Sequence, residues 1–315
     1  MSTLRRSLSS FGSYADGVGL RGMPILGLYP GNVYWVDSNG GGSSKGTIAS
    51  PVATLAAATA LCTADNGDYV MIKPGHAETI TGAGGITFDK AGVSYIGMGR
   101  YTDRPTFLMD GATTVTCLVT AANVGVYNCH FKAGHSDIVT FSTITGKGCT
   151  FSDCQFSDNT TSENFISVFN CGAATDDFSG LSLINNTMNF REDAETLLPI
   201  NLLKGSYDVR IIGNRLQFKG DSGAFGGIYS VNTLHHYNCE VAYNLIHNTD
   251  AANNSICISI GSTTSTGWIH HNLAYGEDTT GFTPFVTTAT GMALFENYYT
   301  YDGGTLSGAL IPASA

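Results

Sequence analysis

Short apolar segments that each carry one polar Asn or Asp recur along this chain every 25 to 33 residues. The first two segments carry Asn128 and Asp153, and the later ones carry Asn186, Asn214, Asn244, Asn272 and Asn297. One such unit cannot bury its own apolar face, so successive units must stack on one another. The repeat therefore predicts an all-β fold, a right-handed parallel β-helix.

Within each segment the apolar residues alternate with period two, and none shows a helical stripe. Stacked parallel strands lie about 4.8 Å apart, so equivalent side chains form columns inside the solenoid. We expect Cys129 to lie above Cys154. We expect a second column of rings made by Phe131, Phe156, Phe190 and Phe218. The asparagines are interpreted as a structural ladder at one corner, since Asn tolerates the left-handed conformation and its amide can bond the next coil.

The N-terminal part of the chain differs from the repeats. The Ala-rich run from Pro51 to Leu61 predicts a short helix that caps the first coil, with Thr54, Leu55 and Ala58 on its buried face. Strands are expected at 69–72, 85–88 and 93–96. The chain is thereby divided into an extended arm (1–32), a cap with the first coils (33–100), the β-helix coils (101–304) and a C-terminal tail (305–315).

Four runs carry a resemblance to a known family: VYWVDSNGGGSSKGT, SPVATLAAA, NGDYVMIKPGHAETI and GITFDKAGVSYIGMG. They resemble the N-terminal region of pectate-lyase-like right-handed parallel β-helix proteins, especially those found among tailed-bacteriophage virion proteins. The resemblance covers about residues 31–132, and the later coils match by pattern only. It implies the fold, and it suggests a virion protein built as a homotrimer.

Charge and composition narrow the functional classes. With 25 acidic against 15 basic residues, the chain has too few cations for a nucleic-acid-binding face. No apolar run is long enough for a transmembrane helix, no secretory signal is recognised, and the eight cysteines are expected to be free and buried. The basic start of the chain, with Arg5, Arg6 and Arg21, is a candidate arm that binds a capsid protein or another virion protein; its alternative is a frayed terminus.

No convincing catalytic constellation is found, so the sequence predicts a protein that is not an enzyme and that needs no cofactor or metal. The acidic pairs 176–177 and 192–193 are interpreted as solvated loops. The residue patterns of polygalacturonases and pectate lyases are absent. One member of each pair, His235-His236 and His270-His271, could face outward and stack as a metal or pH-sensitive patch; the alternative is that these are ordinary surface or hydrogen-bonded histidines. His76 is expected, with Glu78, to hold the cap turn.

Three hypotheses follow. We favour a bacteriophage structural protein located in the virion, most simply a head-decorating protein on the capsid exterior. The alternatives are a tail spike or a carbohydrate-binding or carbohydrate-cleaving β-helix, and a surface adhesin. The last segment contains Tyr298, Tyr299 and Tyr301. These tyrosines are interpreted either as a closing rung covered by the tail from Leu306 to Pro312, or as an oligomer contact.

Overall fold

The structure is a computed structural model that describes residues 31–40, 45–160, 162–173, 177–190, 198–219, 225–231, 233–249, 256–276, 285–287, 291–301 and 309–311. In these residues the chain winds into a right-handed parallel β-helix with three long sheets. The predicted fold class is therefore confirmed. Arg5, Arg6 and Arg21 lie outside the described residues.

Each complete coil contributes one strand to each sheet in turn, and neighbouring strands in a sheet come from successive coils, apart from one antiparallel pair at the C-terminal end. Sheet 1 contains β1 (Val33–Val36), β2 (Tyr69–Ile72), β5 (Ser94–Gly97), β8 (Gly125–Tyr127), β11 (Thr150–Ser152), β14 (Ser182–Ile184), β18 (Arg210–Ile212), β22 (Cys239–Ala242), β25 (Thr266–His270) and β28 (Gly291–Phe295). Sheet 2 contains β3 (Ala77–Ile80), β6 (Thr106–Met109), β9 (His130–Ala133), β12 (Gln155–Asp158), β15 (Thr187–Asn189), β19 (Arg215–Phe218), β23 (Leu245–Asn248), β26 (Leu273–Gly276), β29 (Asn297–Tyr301) and β30 (Ala309–Ile311). Sheet 3 contains β4 (Ile86–Phe88), β7 (Cys117–Val119), β10 (Ser142–Ile144), β13 (Phe169–Cys171), β16 (Ile200–Leu202), β20 (Phe225–Ser230), β24 (Ile256–Ile260) and β27 (Phe285–Thr287). A small separate sheet pairs β17 (Ser206–Tyr207) with β21 (His236–Tyr237).

The corner between sheet 1 and sheet 2 takes two residues. Between β18 and β19 these are Gly213, which has a positive φ of 70°, and Asn214, which is fully buried. The Asn214 amide donates to Leu183 O at 2.9 Å and to Asn244 Oδ1 at 3.0 Å. The same bonds recur along the series Asn186, Asn214, Asn244, Asn272 and Asn297. Because these amides are buried, the bonds satisfy groups that water cannot reach.

The structure corrects one detail of the ladder. The left-handed conformation belongs to the residue before each ladder asparagine, as at Asn185 with φ of 55°. Asn128 and Asp153 occupy that preceding position, and Cys129 and Cys154 take the ladder position in their coils. The Cys154 amide nitrogen donates to Asn186 Oδ1 at 3.0 Å, so the asparagine series ends against a cysteine coil.

The aromatic column inside the solenoid is also arranged differently from the expectation. Phe131 and Phe156 are in register and their ring centroids are 5.6 Å apart. The next residue in that column is Met188, so Phe190 lies one inward position further along its strand. Phe218 is likewise in register with Asn248 and not with the Phe156 column. All four phenylalanines are buried, but they form two columns, because the coils differ in where their aromatic residue falls.

The capping helix α1 spans Leu55–Leu61, shorter than the predicted 51–61. Thr54 caps its N-terminus by accepting a hydrogen bond from Ala57 N. The helix buries its own residues Leu55 and Ala58 against the first coil. Glu78 accepts a hydrogen bond from Leu55 N at 2.9 Å. This carboxylate therefore ties the start of the helix to sheet 2.

At the other end of the solenoid, β30 pairs antiparallel with β29. Tyr299 packs against the core and Tyr298 is 47% exposed, as alternation along β29 requires.

The division of the chain at 32, 100 and 304 stays a prediction. All eight cysteines are free and buried, and burial raises the pKa of the Cys149 thiol to about 11. In the residues covered by the structure, no helix is long and apolar enough to cross a membrane.

Candidate functional site

A groove of about 430 Å³ crosses the outer face of sheet 2. It is lined by side chains from four successive strands, β15, β19, β23 and β26, and its lining residues are Thr187, Met188, Asn189, Arg215, Leu216, Gln217, Leu245, His247 and Tyr275. A volume of this size is typical of sites that bind small molecules or short polymer segments.

The register of the strands decides which side chains share the groove. Asn189, Gln217, His247 and Tyr275 are register partners and form one outward column. Arg215 lies two residues before Gln217 and belongs to a second, neighbouring column. In that column its register partners are Thr187 on one side and Leu245 on the other. With a rise of about 4.8 Å from coil to coil, the four-residue column extends about 14 Å. The groove is therefore long enough to hold an extended chain laid along the solenoid axis.

The polar groups of this groove differ in kind. The Tyr275 ring centroid is 4.8 Å from that of His247, at an interplanar angle of 52°. Arg215 is exposed and carries a cation, and the amides of Asn189 and Gln217 supply both donors and acceptors. This combination of a flat ring, amides and a guanidinium is suited to hydroxyl and carboxylate groups of a ligand. Among the described lining residues, none is Asp or Glu.

Further toward the N-terminus, the same face of sheet 2 carries polar side chains that bond one another. His130 lies 2.9 Å from Ser157 Oγ, and Arg104 Nη1 donates to Gln155 Oε1 at 3.4 Å. Desolvation, followed by the charges of Lys132 and Arg104, lowers the pKa of His130 to about 4. His130 is thus held neutral at neutral pH.

None of the residues singled out from the sequence lines this groove. The ladder asparagines point into the interior, and the arm residues Arg5, Arg6 and Arg21 lie outside the described chain. Reasoning from the sequence missed Arg215, Gln217, His247 and Tyr275. The signal that could have found them is the alternation in RLQF, LIHN and LAYG, which puts these residues on the outer face once the segments are in register.

The two histidine pairs have different surroundings. His236 is buried and lies 2.8 Å from Ser206 Oγ through Nδ1 and 2.6 Å from Ser230 Oγ through Nε2. His270 and His271 lie on the outer surface and contact each other and carboxylates. The expected stack of one outward histidine from each pair is not what the contacts show, because the exposed His235 contacts Ser262 and not His270 or His271.

Buried His236 predicts a specific dependence of stability on pH. Desolvation, with the charge of His235 acting in the same direction, lowers the pKa of His236 to about 4. In the unfolded chain a histidine titrates near pH 6.5. Between these values the unfolded state binds the proton and the folded state does not, so stability is full above about pH 6.5 and falls as the pH drops toward 4.

We therefore expect His236→Gln to lose less stability than the wild type when the pH is lowered from 7 to 5. The difference should be about 2 kcal/mol, from 1.36 kcal/mol for each pKa unit. Urea unfolding of both proteins at the two pH values measures it, and each protein serves as its own reference at pH 7. Parallel losses of stability would contradict the assignment.

Among the residues that the structure describes, the acidic side chains do not form a cluster with histidine or cysteine that could hold a metal ion. Asp177 forms an ion pair with Lys147 at 3.1 Å, which agrees with a structural loop, whereas Asp176, Glu192 and Asp193 lie outside the described residues. His76 lies 3.3 Å from Glu78 beside the capping helix. In the part of the chain that the structure describes, no three His, Cys, Asp or Glu side chains form a group that could hold a metal ion.

Comparison with known proteins supports the fold. No family model matches the sequence, and no curated protein matches it either. Among solved structures, the pectate lyase Pel9A is similar with a TM-score of 0.56 and 15% identity, over 89% of this chain and 80% of that chain. A rhamnogalacturonan lyase is similar with a TM-score of 0.47 and 14% identity, over 85% of this chain and 87% of that chain. The chain thus shares the parallel β-helix fold of this pectate lyase.

These comparisons correct one expectation. The prediction that the chain is not an enzyme is overturned, because a solved structure that shares its fold is an enzyme, a pectate lyase. Nothing in the comparisons concerns a bacteriophage particle, a capsid protein or a trimer.

Proposed function

We propose that this protein binds an acidic polysaccharide in the groove on sheet 2 and cleaves it by β-elimination. The observation that carries the proposal is the set of side chains in two neighbouring columns on sheet 2. The first column has one residue from each of four coils and extends about 14 Å, given the rise of a parallel sheet. Together the two columns present Arg215, His247, Tyr275 and two amides to one groove. The shared fold with a pectate lyase supports the same class of substrate.

The charge of the substrate is argued from Arg215. The chain carries a net charge of −10, so a polyanion is repelled at long range and needs a local cation to bind. A guanidinium can bond a carboxylate with two parallel hydrogen bonds, which gives both energy and orientation. A uronic acid residue held by Arg215 would lie beside Gln217 of the same coil, and the sugars that precede and follow it along the groove would reach Asn189 and Tyr275.

The chemistry that fits these groups is proton abstraction next to a carboxylate. A base takes the proton from the carbon beside the carboxylate, and the electron pair forms a carbon–carbon double bond. The glycosidic bond on the next carbon breaks, and the leaving oxygen takes up a proton. Among the described lining residues, His247 has the side chain that commonly serves as such a base. The guanidinium of Arg215 stabilises the negative charge that develops on the carboxylate.

The test is an assay of the purified protein with a panel of polyuronides and with a neutral polysaccharide such as dextran. We expect ultraviolet absorbance from unsaturated ends with one or more polyuronides and none with dextran. Arg215→Gln should raise KM about 10- to 100-fold, since a hydrogen bond to a charged group contributes about 1.5–3 kcal/mol.

The matched control is Arg210→Gln. Arg210 lies on the neighbouring sheet, is exposed, and pairs with Glu240 outside the groove. It should leave KM within about twofold, as is usual for surface substitutions. The proposal is overturned if no polyuronide yields an unsaturated product, or if Arg215→Gln and Arg210→Gln behave alike.

Location on a virion, assembly as a homotrimer and attachment through Arg5, Arg6 and Arg21 stay predictions. A glycan-binding rod is compatible with a tail spike, the alternative named for this fold above. Deletion of residues 1–22 followed by a particle-association assay tests the arm, and unchanged association would remove it.

A further inference from the structure

The corner between sheets 1 and 2 changes character in the last three coils. The corner residue has a positive φ in every coil from β8 onward, and in the first four of these coils it is Asn128, Asp153, Asn185 and Gly213. Asn, Asp and Gly adopt this conformation readily. In the next three coils the corner residues are Tyr243, His271 and Glu296, with φ of 57°, 53° and 53°. Histidine is found in this conformation more often than most residues, but Tyr and Glu are not, so the replacement at Tyr243 and Glu296 needs a reason.

The reason lies in the contacts among these three residues. The Tyr243 ring stacks on the His271 ring with centroids 4.8 Å apart and planes 28° apart. His271 Nε2 lies 2.6 Å from Glu296 Oε2. These three consecutive corner positions therefore build one continuous cluster, and sparsely populated backbone conformations often occur at functional sites.

His270 completes the cluster from the end of β25. Adjacent residues of a strand point to opposite faces, and the left-handed turn at His271 is what brings both imidazoles to the outer surface. The two Nδ1 atoms are 2.8 Å apart. In the next coil the ring of Phe295, the register partner of His270, lies parallel to the His270 ring, at 4.8 Å and 4°.

Each imidazole has a carboxylate near its other nitrogen, at hydrogen-bond distance for His271 and slightly beyond it for His270. His270 Nε2 lies 3.6 Å from Glu240 Oε1, and His271 Nε2 lies 2.6 Å from Glu296 Oε2. Glu240 also accepts from Arg210 Nε at 3.2 Å. If both Nε2 atoms carry hydrogens for these carboxylates, both Nδ1 lone pairs face one another. Lone pairs repel at that distance, so either a shared proton or a metal ion between the two nitrogens would relieve the repulsion.

We propose that His270 and His271 bind a divalent transition-metal ion through their Nδ1 atoms, with Glu240 and Glu296 as supporting residues. A carboxylate on the far nitrogen is the usual partner of a metal-binding histidine, because it fixes the tautomer and the ring orientation. Imidazole favours Zn²⁺, Cu²⁺ and Ni²⁺. With metal–nitrogen bonds of about 2.0–2.1 Å in tetrahedral geometry, the nitrogens need to be about 3.3 Å apart, a small outward motion of two surface rings.

The carboxylates stand behind the rings and not beside the ion, so the protein supplies two direct ligands and water supplies the others. This is consistent with the finding that no group of three direct ligands exists among the described residues. The site is separate from the sheet 2 groove, so its outcome is independent of the polysaccharide proposal.

The experiment is calorimetric titration of ZnCl₂ into the full-length protein without a histidine tag, at pH 7.5. We expect one Zn²⁺ for each chain. His271→Asn should weaken binding at least tenfold, while Asn keeps the left-handed corner and with it the fold. Glu296→Gln should weaken binding about 10- to 100-fold although Glu296 does not touch the ion.

The control is His235→Gln, which removes a surface histidine that contacts Ser262 and lies outside the cluster. It should bind Zn²⁺ as the wild type does, and circular dichroism confirms that each variant is folded. Absence of Zn²⁺ binding by the wild type would mean that the two histidines share only a proton, and it would overturn the proposal. Equal binding by wild type and His271→Asn would overturn it as well.

Discussion

Replacing Asn244 by Ala is expected to lower the free energy of unfolding by about 4 kcal/mol, the sum of a few buried polar groups left unpaired at about 1–3 kcal/mol each. Its amide nitrogen donates to Ile211 O at 2.8 Å and to Asn272 Oδ1 at 2.9 Å. Its Oδ1 accepts from Asn214 N at 2.9 Å and from Asn214 Nδ2 at 3.0 Å. All of these groups are buried, so water cannot replace the lost partner without opening the corner.

Urea unfolding measures the change. The exposed Asn159 offers a control, and Asn159→Ala should alter the free energy of unfolding by less than about 0.5 kcal/mol, as surface substitutions usually do. Asn297→Ala provides a graded comparison, since Asn297 Nδ2 donates to Ile269 O and its Oδ1 bonds Asn272 at the C-terminal end of the series. We expect a smaller loss for Asn297 than for Asn244. A loss at Asn244 no greater than at Asn159 would show that the ladder does not stabilise the solenoid.

The repeat predicts the fold because its spacing and its apolar alternation both follow from one requirement: each segment must bury its apolar face against the next coil. A segment such as VRIIGNRLQF has too few apolar residues to form a core alone, and the matching segment one coil later supplies the missing cover. The seven aligned segments therefore locate the strands of sheets 1 and 2 well. Sheet 3 was harder to predict, since its strands lie between the repeats and share no polar marker.

Details within the coil could not be read from alignment of the asparagines alone. Asn128 was placed with Asn186, although it matches Asn185, because both positions of the corner accept Asn for different reasons. The first position needs a left-handed backbone, and the second needs a buried amide. The phenylalanine columns shifted for a related reason: any inward position accepts a ring, so Phe156 and Phe190 can occupy different ones.

The groove was not predictable from a motif. Arg215, His247 and Tyr275 are 32 and 28 residues apart in sequence, and only the coil register makes them neighbours. Outward positions are under no packing constraint, so their residue types carry no repeat signal. The same holds for the histidine cluster, whose sequence signal is the unusual Tyr, His and Glu at corners that elsewhere hold Asn, Asp or Gly.

Replacing His247 by Gln is expected to lower kcat about 10²- to 10³-fold on the polyuronide that the protein cleaves, the range that a general base contributes. The glutamine amide keeps hydrogen-bonding capacity but cannot take up the proton. KM should change by less than about threefold, because Arg215, Gln217 and Asn189 still contact the substrate, and loss of an interaction made only in the transition state appears in kcat.

Initial rates of unsaturated product at a series of substrate concentrations separate the two constants. His135→Gln is the control, since His135 contacts Ser136 O outside the groove, and it should leave both constants unchanged. A variant in which KM rises while kcat is retained would make His247 a binding residue. In that case Tyr275, whose ring lies 4.8 Å from that of His247, would be acting with it as a surface for the sugar ring, and the base would have to be sought elsewhere.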